Sequence, residues 1–319
     1  MEKTAFIFPG QGSQYVGMGQ DLFEAFPETR EVFEQANDIL GFPLTDIMFG
    51  KGCASEEECT EKLKQTAITQ PALYVHSMAI MRLLERHQLM PDMVAGHSLG
   101  EYSALAAARA LSFEDGLRLV RLRGQLMGKA GLARPGTMAA IIGLSDQQVE
   151  ELCREASSSG TGIVQPANYN APGQIVISGD VEAVARAMER AREYGARRVI
   201  PLQVSGAFHS PLMEEARAGL AEALRKVTIQ PPDVSVYLNV TAQPSTSPEE
   251  IRERLLEQLT SPVRWSQTLQ RMHADGATRF LEVGAGKVLS GLVKRTLGRH
   301  IETFPIGTAD AIRQVLFVD

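Results

Sequence analysis

Short apolar runs alternate with longer amphipathic stretches along the 319-residue chain. The stretches SMAIMRLLERHQ at 77–88 and EEIRERLLEQL at 249–259 carry apolar residues at helical spacing and predict helices. The apolar runs predict buried strands, which are TAFIFPG at 4–10, DMVAG at 92–96, SVYLNV at 235–240, RFLEVG at 279–284 and ETFPIG at 302–307. Such alternation is typical of an α/β protein whose parallel sheet is flanked by helices.

The middle of the chain has a different order of elements. Six elements are predicted here, in the order strand, helix, strand, strand, helix, strand. They are the strand MAAIIGL, a helix opened by the Ser145 to Gln148 capping pattern, the strands IVQPANYN and QIVISG, the helix VEAVARAMERAREY and the strand RRVIPLQV. This β-α-β-β-α-β order predicts a ferredoxin-like small subdomain at 132–204, inserted into a large subdomain made of 1–131 and 205–319. TAQPSTSP at 241–248 predicts a minor break in the large subdomain.

Composition and charge exclude several classes of protein. With 44% hydrophobic and 22% charged residues, the chain can bury a large core. The net charge of −6 gives no overall basic field for nucleic acid or an anionic membrane. The sequence MEKTAFIFPG does not resemble a secretory signal, and no apolar run is long enough to predict a membrane span. The chain is therefore expected in the cytoplasm.

The three cysteines add to this expectation. Cys53, Cys59 and Cys153 are odd in number and form no C-x-x-C pair. This pattern disfavours both a disulfide framework and a zinc site, and it suits a reducing compartment. We therefore expect no metal.

The segment Gly96-His97-Ser98-Leu99-Gly100 fits G-x-S-x-G, with an apolar strand before it and an alanine-rich helix after it. Small flanking residues permit a strained strand-to-helix turn that projects the serine hydroxyl. The alternative is an ordinary turn with a capping serine. We interpret His97 as structural, because on a sharp turn its side chain should point away from Ser98.

A second glycine-rich loop, PGQGSQ at 9–14, follows the first predicted strand. Neither a dinucleotide nor a phosphate motif fits it, because Tyr15 and Met18 stand where those motifs need glycine and lysine. GAGK at 284–287 likewise lacks the first glycine of a phosphate loop, since Leu281 occupies that position. The 9–14 loop is either a structural turn or a source of a backbone N–H, at Gln11, facing Ser98.

Together these segments resemble the malonyl-CoA:acyl carrier protein transacylases and the related acyltransferase domains of fatty acid and polyketide synthases. The resemblance covers almost the whole chain and is carried by FIFPGQGSQYVGMG, GHSLGEYSAL, RLRGQLM, NYNAPGQIVISG, GAFHSPLM, SPVRW and EVGAGKVLSGLVKR. It implies an α/β-hydrolase-like large subdomain with a parallel sheet, plus the inserted ferredoxin-like subdomain. It also implies ping-pong transfer of malonyl from malonyl-CoA, through a serine ester, to the phosphopantetheine thiol of acyl carrier protein, without a metal or redox cofactor.

The resemblance also implies roles for individual residues. Ser98 would be the nucleophile and His209 its general base, with the imidazole supported by the backbone carbonyl of Gln258 instead of an aspartate. The backbone amides of Gln11 and Leu99 would form the oxyanion hole.

The predicted acyl pocket contains three further residues. By resemblance, Arg123 would bind the free carboxylate of malonyl, although most arginines in a run such as RLVRLRGQ are solvated. Met127 and Phe208 would line the pocket, where residues of these types are more often plain core. The bulky Phe208 resembles the residue of malonyl-selective acyltransferases more than that of enzymes that accept branched extender units, and this resemblance favours malonyl over methylmalonyl.

A basic cluster of Lys287, Lys294 and Arg295 is a candidate docking face for the acidic carrier protein, or else an ordinary solvated helix face. Our primary hypothesis is that the carrier belongs to fatty acid synthesis, and the alternative is a polyketide assembly line served in trans. A serine thioesterase and a non-catalytic acyl-binding protein are the competing functions. A monomer is expected.

Overall fold

The computed structural model describes residues 2–316, which fold into two sheets with helices around them. The strands are β1 Lys3–Phe8, β2 Met93–Gly96, β3 Gly136–Ile142, β4 Val164–Ala171, β5 Gln174–Asp180, β6 Arg198–Pro201, β7 Ser235–Tyr237, β8 Pro244–Ser245, β9 Ala277–Glu282 and β10 Glu302–Pro305. The helices are α1 Gln20–Ala25, α2 Pro27–Leu40, α3 Leu44–Met48, α4 Glu56–Lys64, α5 Thr66–Arg86, α6 Gly100–Ala107, α7 Phe113–Ala133, α8 Asp146–Ser158, α9 Val181–Glu193, α10 Glu214–Lys226, α11 Pro248–Glu257, α12 Trp265–Ala274, α13 Val288–Leu297 and α14 Ala309–Leu316.

The large sheet has the strand order β10-β9-β1-β2-β7-β8. Every pairing in it is parallel except that of β7 with β8, which is antiparallel. The carboxyl ends of β1 and β2 are adjacent, because Phe8 pairs with Gly96. In an open parallel sheet this edge is where binding sites form, and both glycine-rich loops begin there.

Alternate residues of the central strands enter two different cores. Phe6 and Phe8 of β1 pack among the helices on one face of the large sheet, and Ala5 and Ile7 pack on the other face with Trp265. Both faces are therefore apolar, which explains why these strands are continuous hydrophobic runs in the sequence.

The small sheet has the order β4-β5-β3-β6 and is antiparallel. Helices α8 and α9 pack on it through a separate apolar cluster that includes Ile141, Leu152 and Ala187. The predicted capping box is present, since the Ser145 and Gln148 side chains each accept from the other's backbone N–H. The mixed α/β fold with a ferredoxin-like part is thus confirmed, while the exact limits 132 and 204 stay predictions.

Two sequence-based predictions need correction. The predicted break at 241–248 contains β8, which adds a short antiparallel strand to the sheet edge. The prediction that the cysteines stay unpaired was wrong for Cys53 and Cys59, which form a disulfide. The chain before α4 turns back on the first turn of that helix, so the two Cα atoms are 5.5 Å apart. Cys153 is free and buried.

Candidate active site

Ser98 lies on the turn between β2 and α6, with a positive φ of 53°. The glycines of G-x-S-x-G are required by close backbone approach. A Cβ on Gly96 would lie 1.8 Å from the carbonyl oxygen of Gly100, and a Cβ on Gly100 would lie 2.1 Å from the carbonyl oxygen of Phe8. These two glycines therefore permit the strained turn, which directs the serine side chain toward the carboxyl edge of the sheet.

His209 follows β6 in a loop, and its ring bridges Ser98 and Gln258. Nε2 lies 2.7 Å from Ser98 Oγ, and Nδ1 lies 2.8 Å from the backbone oxygen of Gln258. A carbonyl oxygen only accepts hydrogen bonds, so Nδ1 carries the proton and Nε2 presents a lone pair to the serine hydroxyl. This is the tautomer that a general base needs.

Burial keeps the imidazole neutral. Desolvation first, and the nearby positive charge of Arg123 second, lower the pKa of His209 to about 3. The ring is therefore unprotonated at Nε2 near neutral pH and can accept the serine proton.

Arg123, on α7, is only 1% exposed. Its Nη1 donates to Gln70 Oε1 at 2.9 Å, and its Nη2 donates to Gln258 Oε1 at 2.8 Å and to Ser98 Oγ at 3.2 Å. By contrast, Arg118 is an exposed partner of Glu114. Arg123 is thus the arginine of this run that reaches the serine, and its guanidinium places a positive charge beside the hydroxyl.

A cavity of about 320 Å³ opens above Ser98, between the carboxyl edge of the large sheet and the small sheet. It is within the size range of small-molecule sites. Among its lining residues are the predicted oxyanion residues Gln11 and Leu99 and the predicted pocket residues Met127 and Phe208. Both pocket residues are nearly buried, at 2% and 6% exposure.

His97 also borders this cavity. Its Nε2 lies 2.8 Å from Asn170 Oδ1, and its ring packs edge-on against Trp265 at 5.4 Å between centroids. These contacts hold the ring between β4 and α12, in agreement with its interpretation as a structural residue.

Gln70, Glu101 and Asn239 are three polar residues that the sequence did not single out and that belong to the same network. Gln70 and Gln258 hold the Arg123 guanidinium, Asn239 Oδ1 accepts from the Ser98 backbone N–H at 2.7 Å, and Glu101 accepts from Gln258. Asn239 follows β7 at the carboxyl edge of the sheet, a position that could have marked it. Gln70 lies inside the long helix α5, and its sequence surroundings carry no such signal.

The predicted docking residues are exposed but do not form one patch. Lys294 and Arg295 line a cleft with Arg299, whereas Lys287 lines a different groove with Tyr15. Leu289 and Leu292 of the same helix line the active-site cavity, and Arg295 donates to the side-chain oxygen of Gln174, another lining residue. Lys294 and Arg295 are therefore connected to the site by helix α13, and Arg299 follows the end of that helix.

Within residues 2–316, no group of three or more His, Cys, Asp or Glu side chains is arranged to hold a metal ion. Over the same part of the chain, no helix combines the length and hydrophobicity that crossing a membrane requires.

A parallel α/β sheet carrying a serine on a strained turn, with a neutral imidazole at its hydroxyl, defines the class of enzymes that form acyl-serine intermediates. The family model described as acyl transferase domain matches residues 5–310. The chain therefore belongs to the acyl transferase family and is an acyltransferase.

Known proteins are similar to this chain over nearly its full length. The chain is 44% identical to malonyl CoA-acyl carrier protein transacylase of Bacillus subtilis, over 98% of this chain and 96% of the relative. The crystal structure of FabD from Acinetobacter baumannii is similar, with a TM-score of 0.91 and 42% identity, over 99% of this chain and 97% of that one. So is a malonyl-transacylase solved in complex with its type II PKS acyl-carrier protein, with a TM-score of 0.91 and 39% identity, over 98% and 99% of the two chains.

Proposed function

We propose that this protein transfers the malonyl group of malonyl-CoA to the phosphopantetheine thiol of an acyl carrier protein, through an ester on Ser98. The observation that carries the proposal is the buried guanidinium of Arg123, whose Nη2 lies 3.2 Å from Ser98 Oγ. An acyl group attached to that oxygen ends close to the guanidinium. A carboxylate at the far end of the acyl group can then pair with the cation away from water. The names of the relatives support the same substrate and acceptor.

In the first half-reaction Ser98 Oγ attacks the thioester carbonyl while His209 Nε2 takes the hydroxyl proton. The oxyanion that forms would accept hydrogen bonds from the backbone amides of Gln11 and Leu99, which border the cavity. The carbon–sulfur bond then breaks, and the coenzyme A thiolate takes the proton from the imidazole. Malonyl remains as an ester of Ser98.

The second half-reaction runs in the opposite sense with a new thiol. His209 takes the proton of the phosphopantetheine thiol, the sulfur attacks the ester, and Ser98 Oγ recovers the proton as it leaves. Gln258 O, hydrogen-bonded to Nδ1 at 2.8 Å, stabilises the imidazolium that exists between these steps. The proposed reaction requires no metal or redox cofactor.

The acyl pocket favours a short acyl group. Met127 and Phe208 occupy its wall, and a branched acyl chain would have to displace one of these nearly buried side chains. In our proposal Arg123 selects the charge of malonyl, and these two residues limit its size.

Lys294 and Arg295 are the proposed docking contacts for the acidic carrier, with Lys287 a more distant contributor in its own groove. The monomeric state and the cytoplasmic location remain predictions from the sequence. Fatty acid synthesis remains our primary hypothesis for the pathway. A polyketide carrier is the alternative, since one similar structure contains a type II PKS carrier.

The proposal is tested by intact-protein mass spectrometry after mixing the enzyme with malonyl-CoA alone. We expect a single malonyl adduct that is absent from Ser98→Ala, because that variant lacks the attacking oxygen but keeps the packing of the turn. Continuous release of free malonate without a carrier would instead favour a thioesterase. An adduct at full yield in Ser98→Ala would contradict the assignment of the nucleophile.

A further inference from the structure

Glu101 is a carboxylate buried directly behind the active site. It lies in the first turn of α6, is 1% exposed, and is not among the residues that line the cavity. Burying a carboxylate is costly unless hydrogen-bond donors compensate it. Desolvation accordingly raises the pKa of Glu101 to about 7, while Asn239, Gln258 and Arg123 act in the opposite direction. No step of the proposed reaction uses this group.

Each carboxylate oxygen has its own partner. Oε1 accepts from the backbone N–H of Asn239 at 3.1 Å, and Oε2 accepts from Gln258 Nε2. Both partners are themselves bonded to the active-site residues. We propose that Glu101 is a positioning residue that fixes the Ser98 turn through Asn239 and the Arg123 guanidinium through Gln258. This inference rests on the proposed function, because it assigns the Arg123 arrangement to malonyl recognition.

The Gln258 connection works through the two ends of a side-chain amide. Nε2 donates to Glu101 and to the backbone oxygen of Ser98, the latter at 3.0 Å, so Oε1 is turned toward Arg123. Rotating the amide by half a turn would place oxygen against the carboxylate and N–H groups against the guanidinium. The ionised Glu101 carboxylate only accepts hydrogen bonds, so in this state it allows one orientation of the amide.

The Asn239 connection holds both sides of the nucleophile turn. Its Oδ1 accepts from Ser98 N at 2.7 Å, and its Nδ2 donates to the Gly96 carbonyl at 2.7 Å. Glu101 anchors the backbone of the same residue. The contact stabilises a turn in which Ser98 has a positive φ, a conformation that non-glycine residues rarely adopt.

The test is Glu101→Gln, which keeps the shape of the side chain but replaces a carboxylate that only accepts hydrogen bonds by an amide that also donates them. Its new NH₂ group must face the N–H of Asn239 or the NH₂ of Gln258, so one of the two connections is lost. We expect kcat/KM for malonyl transfer to fall by about 10- to 100-fold, as for the loss of a hydrogen bond to a charged group. The ratio of malonyl to acetyl transfer should fall by about 2- to 10-fold, because only malonyl needs a correctly aimed Arg123.

Glu282→Gln is the matched control. Glu282 is a second buried carboxylate, and it accepts backbone N–H groups of Leu289 and Ser290 at 2.9 and 2.8 Å, with no contact to Arg123 or Ser98. This variant should lose thermal stability without changing the malonyl-to-acetyl ratio. If Glu101→Gln also leaves the ratio unchanged, Glu101 is only structural and the inference is overturned.

Two further measurements test the role of Glu101 even if Glu101→Gln does not fold or malonyl is not the substrate. If Glu101→Gln does not fold, Glu101→Asp withdraws the carboxylate by one methylene and should lower the same ratio. Labelling by a fluorophosphonate reports on Ser98 without malonyl, and both Glu101 variants should react more slowly than wild type. If wild type labels but transfers no malonyl, the proposed function fails. The labelling rates of the Glu101 variants then decide whether Glu101 positions the turn, and unchanged rates overturn that role.

Discussion

A guanidinium removed from water needs partners for its N–H groups, and Arg123 has them only in part. Nη1 and Nη2 are bonded, whereas Nε is buried without a hydrogen-bond partner among the described residues. Its pKa is lowered, chiefly by desolvation. The Glu101 carboxylate reaches this guanidinium only through Gln258, whereas a carboxylate arriving in the cavity would pair with it directly, which is why we assign selectivity to this residue.

Arg123→Ala should therefore affect malonyl and acetyl transfer unequally. Truncating one member of a buried charge pair costs about 2 to 5 kcal/mol, so kcat/KM for malonyl-CoA should fall by roughly 30- to 3,000-fold. Transfer from acetyl-CoA should fall much less, since acetyl has no carboxylate. Arg118→Ala, on the exposed face of the same helix, should change neither value. Equal losses for the two thioesters would show that Arg123 does not read the carboxylate.

The buried neutral state of His209 predicts a stability effect with a definite sign. Its folded pKa of about 3 lies below the ordinary value of 6.5, so the unfolded chain binds a proton first as the pH falls. The stability contributed by the neutral ring is thus present above pH 6.5 and is lost between 6.5 and 3. The Tm of wild type should fall more steeply over this range than that of His209→Asn. Parallel curves would mean that the ring is protonated in the folded protein.

Among the individual site residues, the sequence predicted those that belong to recognisable motifs. Ser98 lies in G-x-S-x-G, and His209 and Arg123 lie in segments that resemble one family. Gln70 and Asn239 were not predicted because they reach the site from parts of the chain far from Ser98. Glu101 lies three residues after Ser98, but its role depends on contacts with Asn239 and Gln258, which are distant in sequence. Their contacts depend on tertiary packing, which local sequence patterns do not encode.

At the level of elements, the β2 to α6 connection determines where the nucleophile stands. Its two glycines are needed because helix α6 passes close to the backbone of both β1 and β2. The strands were well predicted by their apolar runs, because both faces of the central sheet are buried. Helix limits were predicted less well: α5 begins at Thr66, well before the segment that the apolar spacing indicated, and continues through Pro71.

Gly100→Ala tests the close approach at this connection. The added Cβ would lie 2.1 Å from the Phe8 carbonyl oxygen, so the backbone must shift. We expect a loss of about 1 to 3 kcal/mol in the free energy of unfolding, together with slower acylation of Ser98. Gly128→Ala is the control, since a Cβ there meets nothing within 4 Å and the position is inside α7. It should be stabilising by about 0.5 to 1 kcal/mol. Unchanged acylation in Gly100→Ala would contradict the geometry described for the turn.

Helix α13 carries the proposed docking contacts for the carrier protein, Lys294 and Arg295. Reversing Lys294 and Arg295 together to Glu should lower kcat/KM for the carrier protein by roughly 3- to 10-fold, because these charges would face an acidic partner. The matched control reverses Arg225 and Lys226 of α10, an exposed pair with the same total charge. If both double variants behave alike, the effect comes from net charge and α13 is not the docking helix.

In the whole molecule, the active-site cavity lies where the two subdomains meet. Arg123 comes from the first part of the large subdomain, Gln258 from the second, and Phe208 from the connection that follows the small sheet. The strand and helix order predicted this division, since β-α-β-β-α-β is a recognisable pattern. The Cys53–Cys59 disulfide was not predicted, because counting cysteines says nothing about how closely a loop returns to a helix.

In the proposed reaction the Ser98 ester is an intermediate on the way to a carrier protein. The direct measurement isolates the malonyl-enzyme, mixes it with holo acyl carrier protein and follows both masses in time. We expect the malonyl mass to leave the enzyme and appear on the carrier in equal amount, far faster than the ester hydrolyses in a carrier-free control. Running the experiment with fatty acid and polyketide carriers also identifies the preferred acceptor. Loss of malonyl from the enzyme at the same rate with and without either carrier, with none transferred, would show that the Ser98 ester is not an intermediate in transfer to a carrier.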